Sequence, residues 1–187
     1  LTATIQSLRT RITGEFPLSS DGRRRLESAY ARFLEDHRVP PRDFFGRGEI
    51  IAELGSGGEG TVYLVRTPGG FLEVFKQYHD RQGSTHLTRN PEYLANMRAL
   101  GSRAVQVLEI NEESRYLRLE YIRGLPADLI VAPENALGLN PHEWRALTQA
   151  LRAFREDAFA RNPGLAYRTD NIVFEIATGR FFVIDAY

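Results

Sequence analysis

The sequence predicts an α+β fold in which a five-stranded antiparallel sheet is flanked by helices. Three observations carry that expectation. Between Ile50 and Lys76 the chain reads as three short strands joined by two glycine-bearing turns. Val105 to Ile110 and Arg115 to Ile122 alternate apolar and polar residues on either side of a turn at Asn111 to Ser114, which supplies two more strands. Before, between and after these runs, apolar residues recur at the three- and four-residue spacing of a helix.

Composition narrows the function classes. Lys plus Arg equals Asp plus Glu at 24 each, so no net field draws the chain toward nucleic acid or an acidic membrane, and neither is expected as a partner. With no cysteine there is no disulfide, thiolate nucleophile or cysteine metal site, which fits a reducing compartment and equally a protein that must unfold to cross a secretion channel. No apolar run approaches the roughly 20 residues of a membrane span, so a soluble chain without a membrane span is expected.

Taken in order, residues 1 to 46 read as helical. Ile5, Leu8 and Ile12 keep helical spacing, and Leu26, Tyr30, Phe33 and Leu34 repeat it before Pro40 and Pro41 stop the second helix. Ser19, Ser20 and Asp21 are its candidate N-caps. Arg23, Arg24 and Arg25 crowd its first turn, where positive charge opposes the helix dipole, so the run is either a contact surface or a solvated face bracing the sheet.

Gly55, Gly57 and Gly60 stand as G-x-G-x-x-G, with Ser56 in the first gap and Val62 two residues after the last glycine. Glycine is needed where backbone N–H groups must crowd phosphate oxygens without a Cβ in the way. A dinucleotide fold would open a helix at this point, whereas Thr61 to Val65 is a β-branched and aromatic run, so the loop joins two antiparallel strands. Pro68, Gly69 and Gly70 turn a second hairpin, and its return strand Phe71 to Phe75 ends at Lys76, sixteen residues beyond Gly60. The bland alternatives are a flexible hairpin turn and a solvated strand-end lysine. Val74, Phe75 and Lys76 stand as V-F-K, which together with the glycine pattern resembles the V-A-I-K strand of protein kinases. The resemblance implies a protein kinase-like fold with the sheet as its N-lobe, ATP and Mg2+ as cofactors, and Lys76 pairing the α and β phosphates.

Asn90 and Pro91 open a helix carrying Glu92, Leu94, Met97 and Leu100, in the place of the kinase αC helix. The resemblance implies that Glu92 forms the ion pair that positions Lys76, although Pro91 puts Glu92 in the first turn, earlier than the family has it. Leu119-Glu120-Tyr121-Ile122 falls where the kinase hinge runs. By that match Leu119 is the gatekeeper, Glu120 and Ile122 offer backbone bonds to adenine, and Asp128 meets the ribose. Asn140, Pro141 and Glu143 supply an N-cap, an N1 proline and an N3 glutamate. Behind them Trp144, Leu147, Leu151, Phe154 and Ala158 mark a long buried helix, the core of a reduced helical C-lobe.

Leu165 to Tyr187 resembles the kinase catalytic loop, the hairpin after it and the metal-binding triplet. Asn171 matches the loop asparagine and Asp185 opens the triplet, so these two are the implied magnesium ligands. Ala166 stands where the family carries its catalytic Asp, with Gly164 and Leu165 in place of His and Arg. Arg168 falls at the cation that steadies the γ phosphate, and Asp170 is the nearest carboxylate. Three explanations of Ala166 stay open: a pseudokinase, an unorthodox transferase resting on positioning and metal, and an introduced Asp-to-Ala change. The last is slightly favoured, because Lys76, Arg168, Asn171 and Asp185 are retained together.

On this reading residues 1–46 form an N-terminal helical extension, 47–124 the kinase-like N-lobe and 125–187 a minimal C-lobe. The chain ends soon after the metal-binding triplet, and in this it resembles the compact bacterial type III effector kinases of the OspG and NleH group. The resemblance implies a serine/threonine protein kinase delivered into host cytoplasm, acting on a protein substrate and activated by a partner such as a ubiquitin-charged conjugating enzyme. The competing expectation is a non-catalytic module that captures a protein on a nucleotide-braced kinase scaffold. Transfer to a small molecule is a third.

Overall fold

The computed structural model describes residues 16–79, 90–132, 135, 137–163 and 168–185, and it divides into two compact units. A sheet unit comprises residues 32–95 and 105–121, and a helix–hairpin unit comprises the described residues up to 31, 96–104 and those from 122 onward. The expected first helix, with Ile5, Leu8 and Ile12, lies outside the described residues.

The sheet unit carries six antiparallel strands rather than five. They are β1 (Arg38–Asp43), β2 (Glu49–Ser56), β3 (Gly60–Arg66), β4 (Leu72–Tyr78), β5 (Val107–Asn111) and β6 (Tyr116–Glu120), in the order β1-β2-β3-β4-β6-β5. The added strand corrects the expectation of a helical start through residue 46. Pro40 and Pro41 are indeed outside the helix, but they sit in an extended segment that pairs Arg38 with Ala52 and Asp43 with Glu49, and the register shifts between Arg38 and Arg42. Proline gives no N–H to a ladder, and an edge strand with an irregular register is where that omission costs least.

The pairing of β4 with its two neighbours assigns the faces of the sheet. Val62, Lys76 and Leu117 lie abreast on one face, and Leu64, Val74 and Leu119 lie abreast beside them. Lys76 is therefore inside a strand paired on both sides, not at a strand end as expected. The opposite face buries Phe44, Ile50, Val65, Phe75 and Tyr116 as one cluster, with the Phe44 ring 4.7 Å from Phe75 and 5.6 Å from Tyr116. Each such side chain contributes about 1.5–3 kcal/mol of burial, so this face anchors the sheet.

Four α-helices occur among the described residues: α1 (Ser20–Asp36), α2 (Asn90–Leu100), α3 (Ala127–Ile130) and α4 (Pro141–Arg161). Ser19 is the N-cap that α1 uses, its Oγ accepting from the Gly22 N–H at 3.0 Å. Leu26, Ala29 and Tyr30 are buried along one stripe of the helix. The arginine run divides its contacts. Arg23 donates to the carbonyls of Ile176 and Ala177 at 3.0 and 2.8 Å, while Asp21 accepts from Arg25 at 2.8 Å and from Arg24. Arg23 thus ties α1 to residues 176 and 177, while Arg24 and Arg25, paired with Asp21 of the same helix, stay solvent-exposed.

A second sheet of that unit is made by β7 (Gly124–Pro126), β8 (Ile172–Glu175) and β9 (Arg180–Val183), in the order β7-β8-β9. In α4 the expected stripe is present: Leu147, Leu151 and Ala158 are buried, Phe154 lies 5.7 Å from Phe181, and the Trp144 indole N–H donates to the Ile130 carbonyl at 3.1 Å. The N-terminal cap is also as expected, with the Glu143 N–H donating to Asn140 Oδ1 at 2.9 Å. The Glu143 carboxylate is buried, accepting the Asn140 side-chain amide at Oε2 and the Ser19 N–H at Oε1, the latter at 3.0 Å. Among the described residues no helix is long and apolar enough to cross a membrane.

Tyr116 makes the aromatic face sensitive to alkali. Burial first, and then the Glu109 carboxylate that its hydroxyl contacts at 2.9 Å, hold its pKa above the ordinary 10.0. The folded state therefore keeps the phenolic proton more tightly, and its contribution is complete below the ordinary tyrosine pKa and lost as pH rises through the folded value. Denaturant melts of Tyr116→Phe should show about 1 kcal/mol less stability at neutral pH and a smaller loss of stability in alkali than the parent chain.

Candidate functional site

The glycine pattern folds as the turn between β2 and β3, with Gly55 opposite Val62, Ser56 opposite Thr61, and the Gly57 N–H donating to the Gly60 carbonyl at 2.9 Å. Its three glycines serve two purposes. A Cβ on Gly55 or Gly57 would meet nothing within 4 Å, and both residues are exposed, as is Ser56, so this backbone is open to approach by a ligand. Gly60 is buried, and a Cβ there would lie 2.3 Å from the Gln77 carbonyl oxygen, so it is the residue that lets β3 sit against β4. Hydroxyls stiffen the turn, Ser56 Oγ lying 3.0 Å from Thr61 Oγ1, which is 3.2 Å from His79 Nε2.

Lys76 is 9% exposed and shares its sheet face with Val62 and Leu119, so three expected site residues from distant parts of the sequence are brought onto one surface. Its Nζ lies 3.5 Å from Glu59 Oε2 and 5.2 Å from the Tyr78 ring centroid. Glu92 is exposed in the first turn of α2, and among the described residues no ion pair joins it to Lys76. Pro91 fixes Glu92 in the first turn of that helix. Glu59 was missed by reading the sequence, because the unconstrained positions of a G-x-G-x-x-G pattern invite no attention; an acidic side chain inside a proposed phosphate turn was the available signal.

Leu119 is buried opposite Val74. The Glu120 N–H donates to the Gln106 carbonyl at 2.9 Å, so of its two backbone groups the N–H is already engaged. Ile122 and Asp128 belong to the helix–hairpin unit, Ile122 buried and Asp128 exposed in the first turn of α3.

In the helix–hairpin unit, Ile172 pairs with Val183, and just beyond that pair the Ile184 N–H donates to the Asn171 carbonyl at 2.9 Å. The register therefore brings Asn171 and Asp185, fourteen residues apart in sequence, to the same end of one hairpin. An amide oxygen and a carboxylate suit a hard cation such as Mg2+, which keeps much of its water. Among the described residues no group of three or more His, Cys, Asp or Glu gathers, so such an ion would depend on this pair together with water or ligand oxygens. Arg168 is exposed and doubly bonded to Asp170, through Nε at 3.0 Å and Nη2 at 2.7 Å, and these bonds raise its pKa. Asp170 is thus held by its neighbour rather than presented as a base. Ala166 lies outside the described residues.

No family model matches the chain, and no curated protein matches it. Two solved structures of the PknI kinase domain of Mycobacterium tuberculosis, one of them a point mutant, are similar to it. Each shares 22% identity over 79% of this chain, with TM-scores of 0.49 and, for the mutant, 0.48, and the chain spans 62% and 60% of their respective lengths. The mixed α+β architecture with its antiparallel sheet is given by the chain's own strands and helices.

The division of labour among the glycines is testable. Gly60→Ala should destabilise the chain by about 1–3 kcal/mol in denaturant melts, because backbone must move to admit the methyl. Gly57→Ala should stay within about 0.5 kcal/mol of the parent.

Proposed function

We propose that this chain is a protein kinase-like nucleotide-binding protein, with the β2–β3 turn and Lys76 handling the phosphates of ATP and Asn171 and Asp185 holding magnesium. The observation that carries the reading is the register of the sheet, which sets Val62, Lys76 and Leu119 on one face beside an open glycine turn. A magnesium ion held by Asn171 and Asp185 would supply neutralisation of phosphate charge. Lys76 adds positive charge, and the apolar Val62 and Leu119 on its face suit the flat face of a base. Phosphoryl transfer of this type rests mainly on positioning and charge stabilisation, so the chain with Ala166 retains the means to bind nucleotide while lacking a proton acceptor at the family's base position. Were Ala166 an introduced change from Asp, the reading would be transfer to a protein hydroxyl. A host partner such as a ubiquitin-charged conjugating enzyme, and action in host cytoplasm, belong to it through the resemblance to effector kinases alone.

A second reading is a nucleotide-braced protein-binding module. It is favoured by Asp170, the nearest carboxylate to Ala166 in sequence, being clamped by Arg168.

Calorimetry of Mg-ATP with the chain and with Lys76→Ala should show binding that weakens by at least about tenfold in the variant, since a buried charge partner of the phosphates is lost. Absence of binding by the folded parent chain would remove the proposal. Where binding is present, Ala166→Asp separates the readings: phosphate transfer from labelled ATP to a generic protein acceptor supports the transferase, and unchanged inertness with intact binding supports the module.

A further inference from the structure

We propose that Thr61 is a positioning residue of the phosphate turn: its buried hydroxyl joins Ser56 on one limb of the turn to His79 just past the end of β4, and so holds the glycine backbone in place before any phosphate arrives. This role rests on the reading of the turn as the phosphate-binding element, and deepens it. The need for such a residue lies in the composition of the turn. Gly55, Gly57, Gly58 and Gly60 stand within six consecutive positions, and glycine loses more conformational freedom on ordering than any other residue. A turn that orders only when its ligand binds gives up affinity to that ordering, so a contact that fixes it beforehand strengthens binding.

Ser56 and Thr61 stand opposite one another at the base of the turn, with Oγ and Oγ1 3.0 Å apart, and Thr61 Oγ1 lies 3.2 Å from His79 Nε2. His79 grips the turn a second time through its own N–H, which donates to the Glu59 carbonyl at 3.0 Å. Side chains alternate along β3, so Thr61, abreast of Gln77, faces away from the surface that carries Val62 and Lys76. The chain of polar groups therefore holds the turn from behind and leaves the ligand face clear. Thr61 is 6% exposed, whereas Ser56 and His79 are exposed. The middle link is thus the one that water replaces least well: either end can turn to solvent, but the buried hydroxyl keeps its two partners.

Thr61→Val keeps the branched shape that suits a strand and removes the hydroxyl, and the exposed Ser56 and His79 can then bond water, so the fold persists. On the full chain, calorimetry is expected to show Mg-ATP binding about fivefold weaker in Thr61→Val and restored in Thr61→Ser. Adenosine, which has no phosphate to meet the turn, should bind equally to the parent and to both variants. Ser56→Ala should weaken Mg-ATP binding in the same direction, and adding it to Thr61→Val should bring no further loss, because both changes break one connection. Parental Mg-ATP binding by Thr61→Val, or a loss that adenosine shares or that Thr61→Ser does not restore, would overturn the proposal and leave the proposed function standing. Should Thr61→Val not fold, parental Mg-ATP binding by Ser56→Ala overturns it instead. If the folded parent chain binds no Mg-ATP, the proposed function fails and the role of Thr61 with it.

Discussion

A lysine nine-tenths buried in the middle of a paired strand is the constraint on which the sheet unit turns. Lys76 is placed there by ordinary forces: β4 is held by β3 on one side and β6 on the other, and the aromatic cluster on the far face fixes which way each side chain points. Once Phe75 is committed to that cluster, its neighbour Lys76 must face the other way. The charge so trapped has to be answered, and the glycine turn at the end of β2 answers it with Glu59. Apolar packing on one face thus creates an electrostatic demand on the other.

The helix–hairpin unit depends on a different economy, in which buried polar groups are satisfied by contacts far apart in sequence. Glu143 caps α4, binds the Ser19 N–H and lies against Gly22, where a Cβ would come within 2.6 Å of its Oε1. A glycine inside a helix is usually a weakness, but here the missing side chain is the space for a carboxylate. The β8–β9 hairpin is fastened similarly: Phe16 donates to the Gly179 carbonyl at 2.6 Å, and Arg23 covers the carbonyls of Ile176 and Ala177. This bracing surrounds the hairpin whose end brings Asn171 and Asp185 together.

Much of the architecture was legible because it follows from short-range chemistry. The Asn140-Pro141-x-Glu143 start of α4, its apolar stripe, the two turns between β2 and β4 and the return of β6 are all set by residues within a few positions of one another. The strand β1 was not, because Pro40 and Pro41 are read as breakers and only the edge of an existing sheet makes an extended proline segment worth keeping. The distinct duties of Gly55, Gly57 and Gly60 were hidden for a related reason: a glycine's neighbours across strands are absent from the local sequence.

The sequence by itself determined the α+β class, the succession β2, β3, β4, α2, β5, β6, α4, β8 and β9 along the chain, though not β7 or α3 between them, and the presence of a glycine turn, a lysine, an asparagine and an aspartate at family-like spacing. Those features are carried by periodicity, turn residues and motif spacing, which act along the chain. Tertiary structure alone decided that Lys76 is buried and paired with Glu59, that Glu92 makes no ion pair with it among the described residues, that Arg168 is held by Asp170, and that Arg23 is spent on the turn of the β8–β9 hairpin. Charge partners are chosen by distance through space and by the cost of leaving a charge unsolvated, and neither quantity exists until the strands have paired and the core has closed.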